Sequence, residues 1–160
     1  MGLHQLLPGL QIIQHLKHAD SRGDFCELWG INNDNMRGTY RQLNIATSKQ
    51  NVLRGMHRQN QTKLIMPVYG RIFDVALDIE TGNWFGIILD QTNALLIPPQ
   101  YAHGYLVMSD TAVVQYVVDA PYNKLEEENF NWNSYGIEWP IVGTPILSAK
   151  DAICCDTQTS

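Results

Sequence analysis

From residue 63 to residue 118 the chain is a close, even succession of short β-rich runs broken by turn signals. Residues 64–69 are apolar and Gly70 interrupts them; Phe73, Val75, Leu77 and Ile79 then alternate with Ile72, Asp74, Ala76 and Asp78. That alternation is the mark of a strand with one face in a core, so the stretch predicts two strands around a turn. Thr81-Gly82-Asn83 is a further turn signal, and residues 84–89, 94–97, 105–108 and 112–118 read as strands, with Pro98-Pro99 closing one of them. A series of this kind predicts an antiparallel barrel or sandwich, because closing or stacking the sheet buries one face and protects its edges. Helical periodicity is scarce: residues 1–16 have room for a turn or two, residues 124–129 for another, and the polar tail from Cys154 is expected to fray.

At 160 residues the chain is expected to form one unit, residues 1–160, with one core. Its 44% hydrophobic and 17% charged residues, with no block of like charge, are those of a folded protein. The net charge of −5 argues against a general nucleic-acid binder, so an anionic ligand must be held by a few local cations. Cys26, Cys154 and Cys155 make no disulfide framework, which points to a reducing, cytoplasmic setting. No basic leader or long apolar run suggests export or membrane insertion.

Three polar clusters interrupt the β pattern. Arg54, Gly55, His57, Gln59 and Lys63 form the first; Pro98 to Gly104, delivering His103, the second; Tyr116 and Tyr122, flanking a strand end, the third. The spacing in the first two resembles the paired motifs of the cupin barrels, His-x-His-x-x-x-Glu and Pro-x-Gly-x-x-His, which assemble one metal site. His57 and His103 occupy two ligand positions, but Gln59 and Lys63 occupy the others. An ammonium repels a divalent ion, so the pattern reads as a cupin without metal, its lysine free to stabilise negative charge.

The wider pattern resembles the dTDP-4-dehydrorhamnose 3,5-epimerase family. It is carried by residues 20–27, Gln42 with Asn44, residues 52–57, Lys63-Leu64, residues 73–78, Ala102-His103-Gly104, Tyr116, Ala120-Pro121-Tyr122, Trp132-Asn133, residues 136–140 and residues 147–151, in order. The resemblance implies an all-β cupin-type jelly roll with a few short helices, and a cofactor-free isomerase that inverts C3 and C5 of a nucleotide-diphospho-4-keto-6-deoxy sugar. It implies His57 as base with Asp151 as its partner, Lys63 facing the C4 oxygen, Tyr116 as the acid on the other face, and His103 beside them. Arg54 is implied as a diphosphate contact, Gln42, Asn44 and Tyr122 as substrate contacts, and Arg22 and Glu27 as reaching the nucleotide of a neighbouring subunit, in a homodimer with an exchanged N-terminal strand. Such enzymes serve dTDP-rhamnose and polysaccharide synthesis.

Other readings fit some of the same residues. Ser148-x-x-Asp151 also matches a helix capping box, and Asp74 and Asp78 read as the polar face of a strand. The segment between His57 and Lys63 is shorter than the family pattern, Leu43 stands inside the Gln-Asp-Asn string, Ser134 follows Trp-Asn, and His18 replaces an aromatic residue. A single-centre epimerase, a GDP- or CDP-linked sugar or a heptose as substrate, a non-catalytic sugar-nucleotide-binding barrel and a metal-dependent cupin are the alternatives.

Overall fold

The structure is a computed structural model that describes residues 5–28 and 39–156. It holds twelve strands among those residues: β1 (Gln11–Gln14), β2 (Lys17–Asp20), β3 (Gly23–Cys26), β4 (Gln42–Lys49), β5 (Leu53–Arg58), β6 (Lys63–Tyr69), β7 (Ile72–Leu77), β8 (Trp84–Leu89), β9 (Asn93–Ile97), β10 (Ala102–Val107), β11 (Thr111–Val118) and β12 (Glu128–Asn129). One helix, α1 (Ala149–Asp156), follows them. A five-stranded sheet in the order β1-β9-β6-β11-β4 faces a second in the order β12-β5-β10-β7-β8, and β2 pairs with β3 alone. Every named strand pair is antiparallel. This is the jelly roll the resemblance implied.

The alternation along residues 72–79 belongs to β7, and the apolar run before it is β6, yet these strands do not pair. They lie in different sheets, so Gly70 turns a corner between the two layers. Its φ is +75°, and a Cβ there would meet the Thr111 carbonyl oxygen at 2.1 Å. The inner faces pack Ile65, Leu95, Ile97, Val107, Ala112 and Val114 into the main core. The outer face of the second sheet is covered by the segment from Phe130 to Trp139, which packs on Met56, Val75, Leu77 and Ala102. Consequently β10 is buried on both faces.

Several sequence expectations are corrected here. The stretch before Leu16 contains the strand β1, not a helical turn, because Ile13 anchors in the second core cluster while its backbone pairs with β9; residues 1–4 lie outside the described residues. Residues 124–129 divide into a single 3-10 turn (Lys124–Glu126), capped by Asn123, and the short strand β12. The strand around Tyr105 begins earlier, at Ala102, so His103 sits within β10 and not in the preceding turn. At the C-terminal end α1 continues through Cys154 and Cys155 to Asp156, where a frayed tail was expected.

Strand β5 carries the irregularity that shapes the site. Between His103 and Tyr105 of β10, two residues apart, β5 advances from His57 to Arg54, three residues apart. The extra residue is a bulge at Gly55 and Met56, and it cancels the strand's alternation. Arg54 and His57, at odd spacing, therefore both line the same cavity. The bulge needs two glycines back to back: Gly55 has φ +135° and a Cβ there would meet Gly104 Cα at 2.6 Å. A Gly55→Ala change is expected to cost about 2–4 kcal/mol from strain and overpacking together, measured by urea denaturation. Gly82→Ala, at φ +75° with nothing within 4 Å of a Cβ, is expected to cost about 1 kcal/mol from backbone strain alone.

Candidate active site

Between the sheets lies a cavity of about 860 Å³, a volume suited to a ligand of moderate size. The first sheet contributes Gln42, Asn44 and Ala46 of β4, Lys63 of β6 and Tyr116 of β11; the second contributes Arg54 and His57 of β5 and His103 and Tyr105 of β10. Tyr122, Glu127, Ser148, Lys150 and Asp151 close the rim. Strand alternation explains the β4 residues, and the bulge explains β5.

His57 lies with one ring nitrogen 2.6 Å from Asp151 Oδ1, donating to the carboxylate. The other ring nitrogen is left to act elsewhere. Asp151 is only 3% exposed. Burial pushes its carboxyl up, but the hydrogen bond and charge of His57, with further donors including the Gly55 amide, outweigh it and hold the pKa below the usual value. The capping alternative is also realised, by a different atom: the Asp151 amide donates to Ser148 Oγ at 3.1 Å. Ser148 thus starts α1, and the helix so placed carries the Asp151 carboxylate to His57.

Lys63 is a half-buried cation of the cavity. Burial drives its pKa down to about 8, while Asp74 and Glu127 pull it upward. Asp74 is not the surface aspartate its alternation suggested. It is fully buried, and its Oδ1 receives a hydrogen bond of 2.6 Å from His103. In register Asp74 stands opposite Tyr105 and diagonal to His103, so all three share the inner face. Burial raises the Asp74 pKa, opposed first by His103 and then by Lys63. Two His–Asp pairs therefore meet at one cavity.

On the facing wall, burial raises the Tyr116 phenol, with Arg54 opposing it, so the hydroxyl keeps its proton at neutral pH. Arg54 Nε donates to Ser48 Oγ at 3.0 Å. Gln42 is fixed from both ends, donating to Asn44 Oδ1 at 2.8 Å and accepting from the Tyr122 amide at 3.2 Å. Glu127 accepts from Lys150 at 2.9 and 3.0 Å and from the Tyr122 hydroxyl at 3.3 Å, tying the β12 approach to α1. Arg22 and Glu27 do not line the cavity. Arg22 is exposed at the β2–β3 turn, where it pairs with Asp20, and Glu27 is exposed just after β3.

The family model described as dTDP-4-dehydrorhamnose 3,5-epimerase matches residues 4–158. The chain belongs to the dTDP-4-dehydrorhamnose 3,5-epimerase family. A Salmonella typhimurium relative of that name is 37% identical over 163 residues, covering 91% of this chain and 89% of the relative. A Neisseria gonorrhoeae relative of the same name is also 37% identical over 160 residues; 91% of this chain matches it, and the chain spans about half of that protein, 49%. The dTDP-6-deoxy-D-glucose-3,5-epimerase of Legionella pneumophila, solved in complex with dTDP-4-keto-L-rhamnose, superposes with a TM-score of 0.87 at 30% identity, over 94% of this chain and 89% of that one.

In and beside this cavity, the sequence reading gave no role in the site to Asp74, Tyr105, Glu127, Ser148 or Lys150. Asp74 carried a signal, since a carboxylate followed by Val-Ala-Leu in an apolar strand is a candidate for a paired buried charge. Glu127 carried none, because nothing in a run of three glutamates tells which one turns inward. Among the described residues no group of three His, Cys, Asp or Glu side chains is arranged to hold a metal ion. Among the described residues no helix is long and apolar enough to cross a membrane.

The depressed lysine has a consequence for stability. Between the folded value of about 8 and the ordinary value of 10.5 the unfolded chain holds a proton that the native state has released. Stability contributed by this group therefore rises with pH across that window. Urea denaturation at pH 7 and pH 9.5 is expected to show wild type gaining relative to Lys63→Met, with the variant the more stable of the two at pH 7.

Proposed function

We propose that this chain, acting as one cupin-like unit over residues 1–160, inverts C3 and C5 of a dTDP-linked 4-keto-6-deoxy sugar by proton transfer through an enolate. The observation that carries the reading is the entry of the His57–Asp151 pair and of Tyr116 into one cavity from facing sheets, with the half-buried Lys63 ammonium lining the same cavity. A C–H bond beside a ketone is acidic only because the carbanion spreads onto the carbonyl oxygen. Its removal needs a base, a stabiliser for the oxyanion and an acid on the opposite face. His57 takes the proton and Asp151 favours the imidazolium that forms. Lys63, protonated below about pH 8, carries the enolate charge at the C4 oxygen, with the His103–Asp74 pair holding the surrounding charges in place. Tyr116 returns a proton from the far side, and that return inverts the centre. Arg54 holds the diphosphate, its fork suited to two phosphate oxygens, and Gln42, Asn44 and Tyr122 orient the rest. No metal or cofactor is needed for these steps, and the free cysteine Cys26 fits a cytoplasmic setting.

We further propose a homodimer in which the β2–β3 hairpin is the exchanged segment, bringing Arg22 and Glu27 to the neighbour's nucleotide. Support comes from what the hairpin and first sheet leave uncovered. The hairpin bonds to neither large sheet, and Phe25 on it is 67% exposed. Leu43 and Ile45, on the outer face of edge strand β4, are 62% and 65% exposed. A Phe25→Asp, Leu43→Asp double variant is expected to elute as a monomer in light-scattering chromatography; an unchanged dimer rejects this surface.

Turnover in heavy water is expected to place deuterium at both C3 and C5 of the product. No exchange at either carbon rejects the epimerase reading, and exchange at one alone supports a single-centre enzyme. His57→Ala is expected to lower kcat by about 10²–10⁴-fold, the range for loss of a general base. Tyr116→Phe is expected to retain wash-in of deuterium while losing inversion. The wild-type kcat/KM is expected to fall as pH rises through about 8, where Lys63 loses its proton.

A further inference from the structure

The connection from β5 to β6 crosses from the second sheet to the first in four residues, Gln59 to Thr62, and brings Gln59 and Gln61 to the cavity wall. It is tightly held. The Thr62 amide donates to Asp119 Oδ1 at 2.8 Å, the Asp119 amide donates back to the Thr62 carbonyl, and the Gln61 amide donates to the Gln59 carbonyl at 2.7 Å. Gln61 is only 7% exposed and lines the cavity. Its Nε2 donates to the Ala120 carbonyl at 2.8 Å. A carbonyl oxygen can only accept, so this bond fixes which way the carboxamide is turned. The Gln61 Oε1 is held away from Ala120, has no hydrogen-bond partner among the described residues and is not sealed within the protein.

Around the rest of the cavity the acceptors are largely engaged. Asp151 accepts from His57, Glu127 from Lys150, Asn44 from Gln42, and Gln42 from the Tyr122 amide. Arg54, Lys63 and Tyr116 line the same space as donors, and donors suit the oxygens of a diphosphate or a ketone, which only accept. A sugar hydroxyl also carries a proton, and burying it without an acceptor weakens binding. Gln61 offers that acceptor two residues from Lys63, about 7 Å along an extended chain. The carbons flanking the ketone of a 4-keto-6-deoxy sugar differ in kind: C3 bears a hydroxyl and C5 a methyl group. An acceptor beside the ammonium that faces the C4 oxygen therefore tells one flank of the ring from the other.

We propose that Gln61 Oε1 accepts the hydrogen bond of the C3 hydroxyl, the one next to the ketone, and so sets which flank of the sugar lies on its side of the cavity. The proposal rests on the epimerase reading of the cavity, and its test separates the two. Calorimetric titration of the wild type is expected to show dTDP-glucose bound about tenfold more tightly than its 3-deoxy analogue, an effect of one hydrogen bond. Gln61→Met is expected to bind the two ligands equally. Gln61→Glu also breaks the bond to Ala120 but keeps an acceptor oxygen, and it is expected to retain a preference for dTDP-glucose. Tm is expected to fall in both variants; a purely structural role would weaken both ligands by the same factor and leave the preference intact. In turnover, Gln61→Met is expected to raise KM more than it lowers kcat. Equal affinity of the wild type for the two ligands overturns the proposal, as does a preference that survives in Gln61→Met or is lost from both variants alike. A wild-type enzyme that prefers dTDP-glucose yet exchanges no deuterium at C3 or C5 overturns the epimerase reading and leaves the Gln61 contact standing.

Discussion

A lysine ammonium enclosed between two sheets is the constraint around which this molecule is arranged. Removing a charge from water is costly, and the effect is visible in the fall of the Lys63 pKa to about 8. What keeps the ammonium charged at neutral pH is the field of Asp74, on β7, and of Glu127, between the 3-10 turn and β12. Asp74 is itself fully buried and is held by His103. The cluster is thus mutually dependent, and within it a positive charge is available at low dielectric, where it acts most strongly on a developing oxyanion.

The two His–Asp pairs are alike in length, both 2.6 Å, and unlike in setting. His103–Asp74 is sealed within the second sheet. His57–Asp151 joins β5 to α1 at the rim, where the His57 side chain keeps 23% of its exposure and can meet a ligand. The difference follows from construction. The first pair is a diagonal neighbour contact on adjacent strands, while the second needs a helix, started by Ser148, to dock against the bulged strand. The sealed pair is suited to holding charge in place, and the rim pair to moving a proton.

Much of the strand pattern was legible because period two is a local property. Residues 64–118 betray β6 to β11 through alternation and through Gly and Pro punctuation, and the resemblance of residues 20–151 supplied the jelly roll that joins them. Short elements were the weak point. β1 and β12 have too few residues for a period to declare itself, and α1 ends in a polar stretch resembling a loose tail. Nine of the eleven candidate residues meet in the cavity, while Arg22 and Glu27 lie on the β2–β3 hairpin and just beyond it.

The sequence by itself determined the strands, the glycines that permit their sharp turns, and the inventory of imidazole, phenol, ammonium and carboxylate groups. Tertiary structure alone decided which of them face one another. Arg54 and His57 point the same way only because β10 approaches so closely that β5 must bulge at Gly55. Asp74 turns from an apparent surface residue into a buried partner of His103 because both faces of its sheet are covered. Spacing along the chain fixes the side of a strand on which a group lies, but the distance between groups on different strands depends on register, bulges and layer packing, which arise when the whole core closes.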